Sequence, residues 1–150
     1  MTTTNSYEYG LSIASPPTRL PAYLRGGRIR TLRATYTFAS QASGDIINLG
    51  IIPKGARVIG CFANMSATHG GTATVKIGDA ADDDKFRLAA TLAAAAFIPP
   101  QIASVGATDA TAVVGADAPY TSDTLVFMTI GAAALPSSGR AYIDIIYVQD

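Results

Sequence analysis

The sequence predicts an all-β fold: a jelly-roll-like antiparallel β-sandwich of seven or eight strands over residues 30–150, behind an extended basic arm of residues 1–29. Three observations carry this. Apolar and polar residues alternate with period two in short runs rich in β-branched and aromatic side chains. Turn sequences of Gly, Pro, Asp and Ser recur every eight to twelve residues or so. Neither a strand–helix–strand alternation nor an internal repeat is visible.

Composition bounds the rest. A chain of 150 residues is most simply one domain. A globule of this size buries roughly 68–70% of its extended-chain surface. Apolar residues make up 49% and charged residues only 15%, below the usual quarter or so. Eleven basic and eleven acidic side chains cancel. A surface with so little charge points to partners covering part of it. The balance conceals a split. Residues 1–33 hold five arginines against Glu8, and residues 34–150 hold six bases against ten acids. Cys61 is the sole cysteine, so no intramolecular disulfide forms. The first residues, MTTTNSYEYG, lack a signal-peptide pattern. No apolar run reaches the roughly 20 residues of a membrane-spanning helix. The expectation is a soluble protein made in a cytoplasm.

The arm comes first. Ser15-Pro16-Pro17 and Leu20-Pro21 disfavour helix and remove ladder donors. Tyr7, Tyr9, Leu11, Ile13, Leu20, Tyr23 and Leu24 are apolar anchors that a disordered tail would carry fewer of. The arm is expected to lie on a surface, its own or a neighbour's, with Gly26-Gly27 as the joint.

Arg30–Phe38 alternates, with Leu32, Ala34, Tyr36 and Phe38 on one face: a half-buried strand. Asp45–Ile52 and Ala56–Met65 are near-continuous apolar strands, expected to be buried on both faces, in a sandwich or at a subunit contact. Pro53-Lys54-Gly55 joins them as a hairpin turn, proline presetting φ and glycine accepting φ > 0. Thr72–Ile77 is a fourth strand, and 78–84 an acidic turn-rich loop. Leu88–Ala96 is alanine-rich, so its propensity predicts a short helix or turn over 87–92, with a strand at Ala94–Ile98. Residues 101–123 hold one short strand at Ala110–Val114. Thr124–Ile130 and Ala141–Val148 form a terminal hairpin.

Candidate chemistry is sparse. His69, the only histidine, sits in a glycine turn with no motif pairing it to a nucleophile. One Cys and one His fall short of a zinc ligand set. Asp79, Asp82, Asp83 and Asp84 are oxygen ligands, but their spacing is not that of a calcium loop. The bland reading is a solvated loop; the sharper ones are a cation site or an acidic patch receiving arginines from a neighbouring arm. Gly50 to Gly55 lacks the Lys-Ser/Thr of a phosphate loop. No catalytic residue, metal site or cofactor is predicted, and the chain is read as a non-enzyme. The net charge argues against a nucleic-acid partner, and no membrane partner is expected.

Three stretches carry a family resemblance. They are Asp45-Ile46-Ile47-Asn48-Leu49 leading into Ile52-Pro53-Lys54-Gly55-Ala56; Val75-Lys76-Ile77-Gly78-Asp79-Ala80-Ala81-Asp82 with Asp84-Lys85-Phe86; and Leu125–Thr129 with Ala141–Tyr147. Over residues 31–148 the chain resembles a family of small tailed-phage virion proteins described as capsid decoration, cement or head-fibre-base proteins. The resemblance implies a small β domain that binds an icosahedral shell, commonly as a homotrimer. It implies the major capsid protein and sister subunits as partners, and the capsid surface of the virion as the location, after synthesis in the host cytoplasm. It brings no catalytic residues and no cofactor.

Residues 1–30 lie outside the resemblance. The arginine charge there and at the start of the first strand makes Arg19, Arg25, Arg28, Arg30 and Arg33, with Tyr23 among them, the expected partner-binding residues. The alternative reading is a jelly-roll glycan-binding module displayed on a virion, with Tyr7, Tyr9, Tyr23 or Tyr120 lining a groove.

Overall fold

Among the described residues, eight strands form two four-stranded antiparallel sheets. The structure is a computed structural model and describes Pro16 and residues 27–66, 72–91, 96–98 and 119–149. The strands are β1 (Arg28–Thr37), β2 (Ile46–Ile52), β3 (Arg57–Met65), β4 (Thr74–Asp79), β5 (Arg87–Thr91), β6 (Ala96–Ile98), β7 (Thr124–Gly131) and β8 (Arg140–Gln149).

One sheet runs β1-β8-β3-β6 and the other β2-β7-β4-β5. This is the order obtained by doubling the chain into one long hairpin and rolling it up. The doubled hairpin pairs β1 with β8, β2 with β7, β3 with β6 and β4 with β5. Rolling adds β3·β8 and β4·β7. The sandwich is therefore a jelly roll.

Period-two alternation sorts the side chains. Leu32, Ala34 and Tyr36 of β1 pack against the core, and Phe38 beyond it is buried. In β8, Ala141, Ile143 and Ile145 point inward while Tyr142, Asp144 and Ile146 alternate outward. Val75 and Ile77 of β4 and Val126, Met128 and Ile130 of β7 face them from the other sheet. Each fully buried side chain of this size contributes about 1.5–3 kcal/mol of transfer free energy.

Four expectations are corrected. First, the sandwich by itself does not bury both faces of β2 and β3. β2 hides Ile47, Leu49 and Ile52 but leaves Ile46 and Ile51 exposed, and β3 leaves Ile59 exposed. Bulges between Asn48 and Gly50 and between Val58 and Gly60 shift the alternation, which made each run look continuous in sequence. Second, Pro53-Lys54-Gly55 is a tight turn, closed by the Ala56 amide donating to the Pro53 carbonyl at 3.1 Å, with Gly55 at φ +82°. It nevertheless joins no hairpin, because β2 and β3 lie in different sheets. Third, β7 and β8 also lie in different sheets, so the terminal pair is a crossover. Fourth, the alanine-rich segment is strand rather than helix over Arg87–Thr91. Its backbone is held by the β4 ladder, Thr74 opposite Thr91 and Val75 opposite Ala90, which outweighs helix propensity. The strand expected at 94–98 is present as β6. The strand expected at Ala110–Val114 lies outside the described residues.

The register fixes the two ends of the sandwich. The start of β1 lies opposite Gln149, Arg57 opposite Val148, Ile52 opposite Thr124 and Asp79 opposite Val126. So the start of β1, the 53–56 turn, the β4–β5 loop and residues 119–123 share one end. The β1–β2 and β7–β8 connections share the other, tied by Phe38 N–H to Gly139 O, Ser40 N–H to Pro136 O and Leu135 N–H to Gln41 O at 2.9, 3.1 and 2.9 Å.

Candidate functional site

The first of these ends carries most of the polar organisation. Asp79 is the last residue of β4, and its alternation with Val75 and Ile77 turns it inward, where it is 1% exposed. A lone buried carboxylate is costly unless hydrogen-bonded. Here Tyr120 donates its hydroxyl hydrogen at 2.5 Å. The amides of Ala81 and Asp82 donate at 2.9 and 3.1 Å. The Lys85 ammonium lies 3.5 Å away and sits 4.9 Å from the Tyr120 ring centroid. Burial pushes the Asp79 carboxyl up, but these donors outweigh it and hold it below the ordinary carboxylate value. The Tyr120 backbone exchanges hydrogen bonds with the Gly55 amide and the Ala56 carbonyl, at 2.8 and 2.9 Å. Asp79 thus ties the acidic loop to the 53–56 turn.

This corrects two expectations. Asp79 is not part of a solvated loop, and Tyr120 packs against the core instead of lining an open groove. Sequence reasoning missed the pair, although a signal existed: continuing the β4 alternation by one step lands Asp79 on the inner face.

The rest of the acidic loop folds back over the outer face of β4. Gly78 makes room for it, since a Cβ there would overlap the Asp82 carbonyl oxygen and the Asp83 backbone. Lys76, outward on the same strand, holds Asp83 at 2.5 Å. Carboxylate oxygens of Asp82, Asp83 and Asp84 come within 4.8 Å of one another. Burial, then the Asp82 hydrogen bond and the neighbouring negative charges, push the Asp84 carboxyl up. The cluster is thus short of positive charge.

The predicted partner-binding residues fall into three groups. Arg19, Tyr23 and Arg25 lie outside the described residues, as does His69. Arg28 and Arg30 are exposed at the start of β1. Arg33 forks onto Asp144 of β8, with two hydrogen bonds of 2.7 Å. That hydrogen bond, with the attraction of the two charges, keeps Asp144 below its ordinary value. β1 is an edge strand of one sheet, and β5 is the edge strand of the other that lies away from β2. The basic start of β1 and the acidic β4–β5 loop therefore sit at one end of the sandwich but toward opposite edges.

Two further groups are buried. Cys61 lies in the core, and burial pushes its thiol up to about 12. This suits a packed hydrophobe and not a nucleophile. Arg87, which sequence reasoning did not single out, is also buried, with no partner for its Nε; burial holds its guanidinium below the ordinary value.

An apolar strip completes the surface. Ile46, Ile51 and Leu125 are 60%, 59% and 42% exposed on the outer face of the β2–β7 pair, with Ile51 opposite Leu125. Large apolar groups clustered in the open mark an interaction surface.

What this end and these faces define is a jelly-roll domain with an apolar strip exposed on one outer face. No family model matches the chain and no curated protein matches it. Solved structures do share its fold. A chain of the cyanophage Pam1 capsid asymmetric unit is 19% identical, with a TM-score of 0.67 over 100% of this chain and 100% of that one. A chain of the capsid of Ralstonia phage GP4 is 20% identical, with a TM-score of 0.63 over 83% of this chain and 86% of that one. A chain of the acid-stable capsid of Helicobacter pylori bacteriophage KHP30 is 16% identical, with a TM-score of 0.51 over 80% and 86%. At these identities the likeness is one of fold.

Proposed function

We propose that this chain is a structural protein of a tailed-phage virion. It decorates or cements the capsid by binding the major capsid protein and sister subunits, as a homotrimer on the capsid surface, without catalysis. The observation that carries this reading is the end-to-end correspondence of its fold with a chain of the Pam1 capsid. The low charge and the exposed apolar strip support it, since both suit a surface that is covered on assembly.

In this reading the two parts of the chain divide the work. The sandwich of residues 30–150 is a rigid body, and the arm of residues 1–29 is the clamp. Arg19, Tyr23, Arg25, Arg28 and Arg30 supply positive charge and an aromatic anchor for a neighbour. Arg33 acts mainly through Asp144, fixing β1 on β8 so that the arm leaves at a defined point. Ordering the arm costs conformational entropy, which contacts made on assembly offset.

The test uses phage shells that lack the protein. The full chain should co-sediment with them, and charge reversal of Arg19, Arg25, Arg28 and Arg30 together should abolish co-sedimentation while the circular dichroism stays that of the wild type. Undiminished attachment of that variant sinks the role of the arm. Failure of the wild-type chain to attach at all sinks the cement reading.

A further inference from the structure

We infer that the apolar strip along β2 receives the segment Tyr7–Ile13 of a second copy of this chain. The inference rests on the assembly reading above and names the contact between sister subunits within it.

Three observations lead there. β2 is an edge strand, paired with β7 and with no strand on its other side among the described residues. Its outer face carries Ile46 and Ile51, both mostly exposed, with Leu125 opposite Ile51. The segment Tyr7-Glu8-Tyr9-Gly10-Leu11-Ser12-Ile13 alternates strictly, with Tyr7, Tyr9, Leu11 and Ile13 on one side. That is the pattern of a strand with a single apolar face. Laid along the edge of β2 it would extend the sheet by main-chain hydrogen bonds and place its apolar side chains beside Ile46 and Ile51.

The length of chain decides whose β2 is reached. Thirteen residues, 14–26, separate the segment from the described sandwich, and they include Pro16, Pro17 and Pro21. Proline-rich chain is stiff and spans roughly 3.1 Å per residue, so these residues reach about 40 Å. A seven-residue strand such as β2 is about 23 Å long. Gly27 leads into β1 at the end of the sandwich where β2 also ends. Even with a reversal at Gly26-Gly27, a stiff spacer of about 40 Å would overshoot the roughly 23 Å of its own β2. The extended path carries Tyr7–Ile13 past its own domain to a neighbour. Repeated around a ring, each copy gives one arm and receives one, a head-to-tail contact that closes without a free strip.

The test is cross-linking in the full chain. Leu11→Cys and Ile51→Cys chains with different tags are co-expressed and treated with a short bifunctional maleimide; buried Cys61, its thiol pushed up to about 12, stays silent. The expected result is a covalent pair carrying both tags. It is accompanied by loss of the oligomer, read by light scattering, in the Ile51→Asp/Leu125→Asp chain with unchanged circular dichroism. No mixed pair, or a Leu11→Cys/Ile51→Cys double variant that links only within one chain, overturns the inference. So does an Ile51→Asp/Leu125→Asp chain that keeps its oligomer. Shell binding is read separately. Cross-linked copies that ignore shells would sink the cement reading alone, and shell binding without the mixed pair would sink this inference alone.

Discussion

Tyr120 and Asp79, 41 positions apart in the chain, meet in a 2.5 Å hydrogen bond at the end of the sandwich where the arm begins. Removing the hydroxyl leaves a buried carboxylate with two amides and Lys85. Hydrogen bonds to charged groups contribute about 1.5–3 kcal/mol. Tyr120→Phe should lower the urea-unfolding free energy by about that amount, since the ring itself still packs against the core. A loss under about 0.5 kcal/mol would mean that Lys85 and the amides hold Asp79 without help.

That pair also shows where the sequence was legible. β1, β4, β7 and β8 follow from alternation, and the tight turn follows from Pro53 and Gly55. What alternation could not show was bulging: one extra residue near Gly50 and one near Gly60 shift the register by a step and make half-exposed strands read as fully buried ones. Turn chemistry shows that the chain reverses after Ile52 and after Gly131. It does not show whether the next strand joins the same sheet, because that depends on pairing between distant strands, β3 with β8 and β8 with β1. The alanine-rich stretch failed for a different reason: its ladder to the preceding strand β4 is a local pairing that outweighs the helix propensity of alanine. The polar site was half legible. Asp79 could be placed inward by counting from Val75, but its donor Tyr120 belongs to a segment with no strand pattern.

Among the described residues, three carboxyls couple stability to pH. Asp79 and Asp144 are held below the ordinary value in the folded state, so each contributes stability that is present above the unfolded value, near 3.8, and is lost as pH falls through the lower folded value. Asp84 is raised, so its contribution is present below that unfolded value and is lost as pH rises through its folded value. Stability should therefore rise slightly as pH drops from neutral toward 4, then fall below it. Asp84→Asn should remove the rise and keep the acid fall. Chemical denaturation across pH 3 to 7 checks both limbs, and a wild-type curve rising monotonically through that range contradicts the assignment.

Gly78 tests the fold-back of the acidic loop. A methyl group there meets backbone of Asp82 and Asp83, which cannot rotate aside as a side-chain tip can. Gly78→Ala should cost at least the 1–3 kcal/mol or so typical of overpacking. It should also break the Lys76–Asp83 ion pair, so that adding Lys76→Ala to Gly78→Ala costs little more. Full additivity of the two changes would show that the loop keeps its position.

Ile77 and Ile51 separate the two kinds of burial. Ile77 is fully buried between the sheets, and truncation to Ala should cost about 2–5 kcal/mol at any protein concentration. Ile51 is 59% exposed in the single chain. Thr preserves the β-branched shape, so in dilute solution Ile51→Thr should stay within about 0.5 kcal/mol of the wild type. If the strip is covered on assembly, the apolar contact exists only in the oligomer, and the cost of Ile51→Thr grows as concentration rises. Urea midpoints at two concentrations a hundredfold apart, on the order of 0.5 and 50 μM, measure the difference. A midpoint for Ile51→Thr that tracks the wild type at both would show that these isoleucines remain solvent-exposed in the working state.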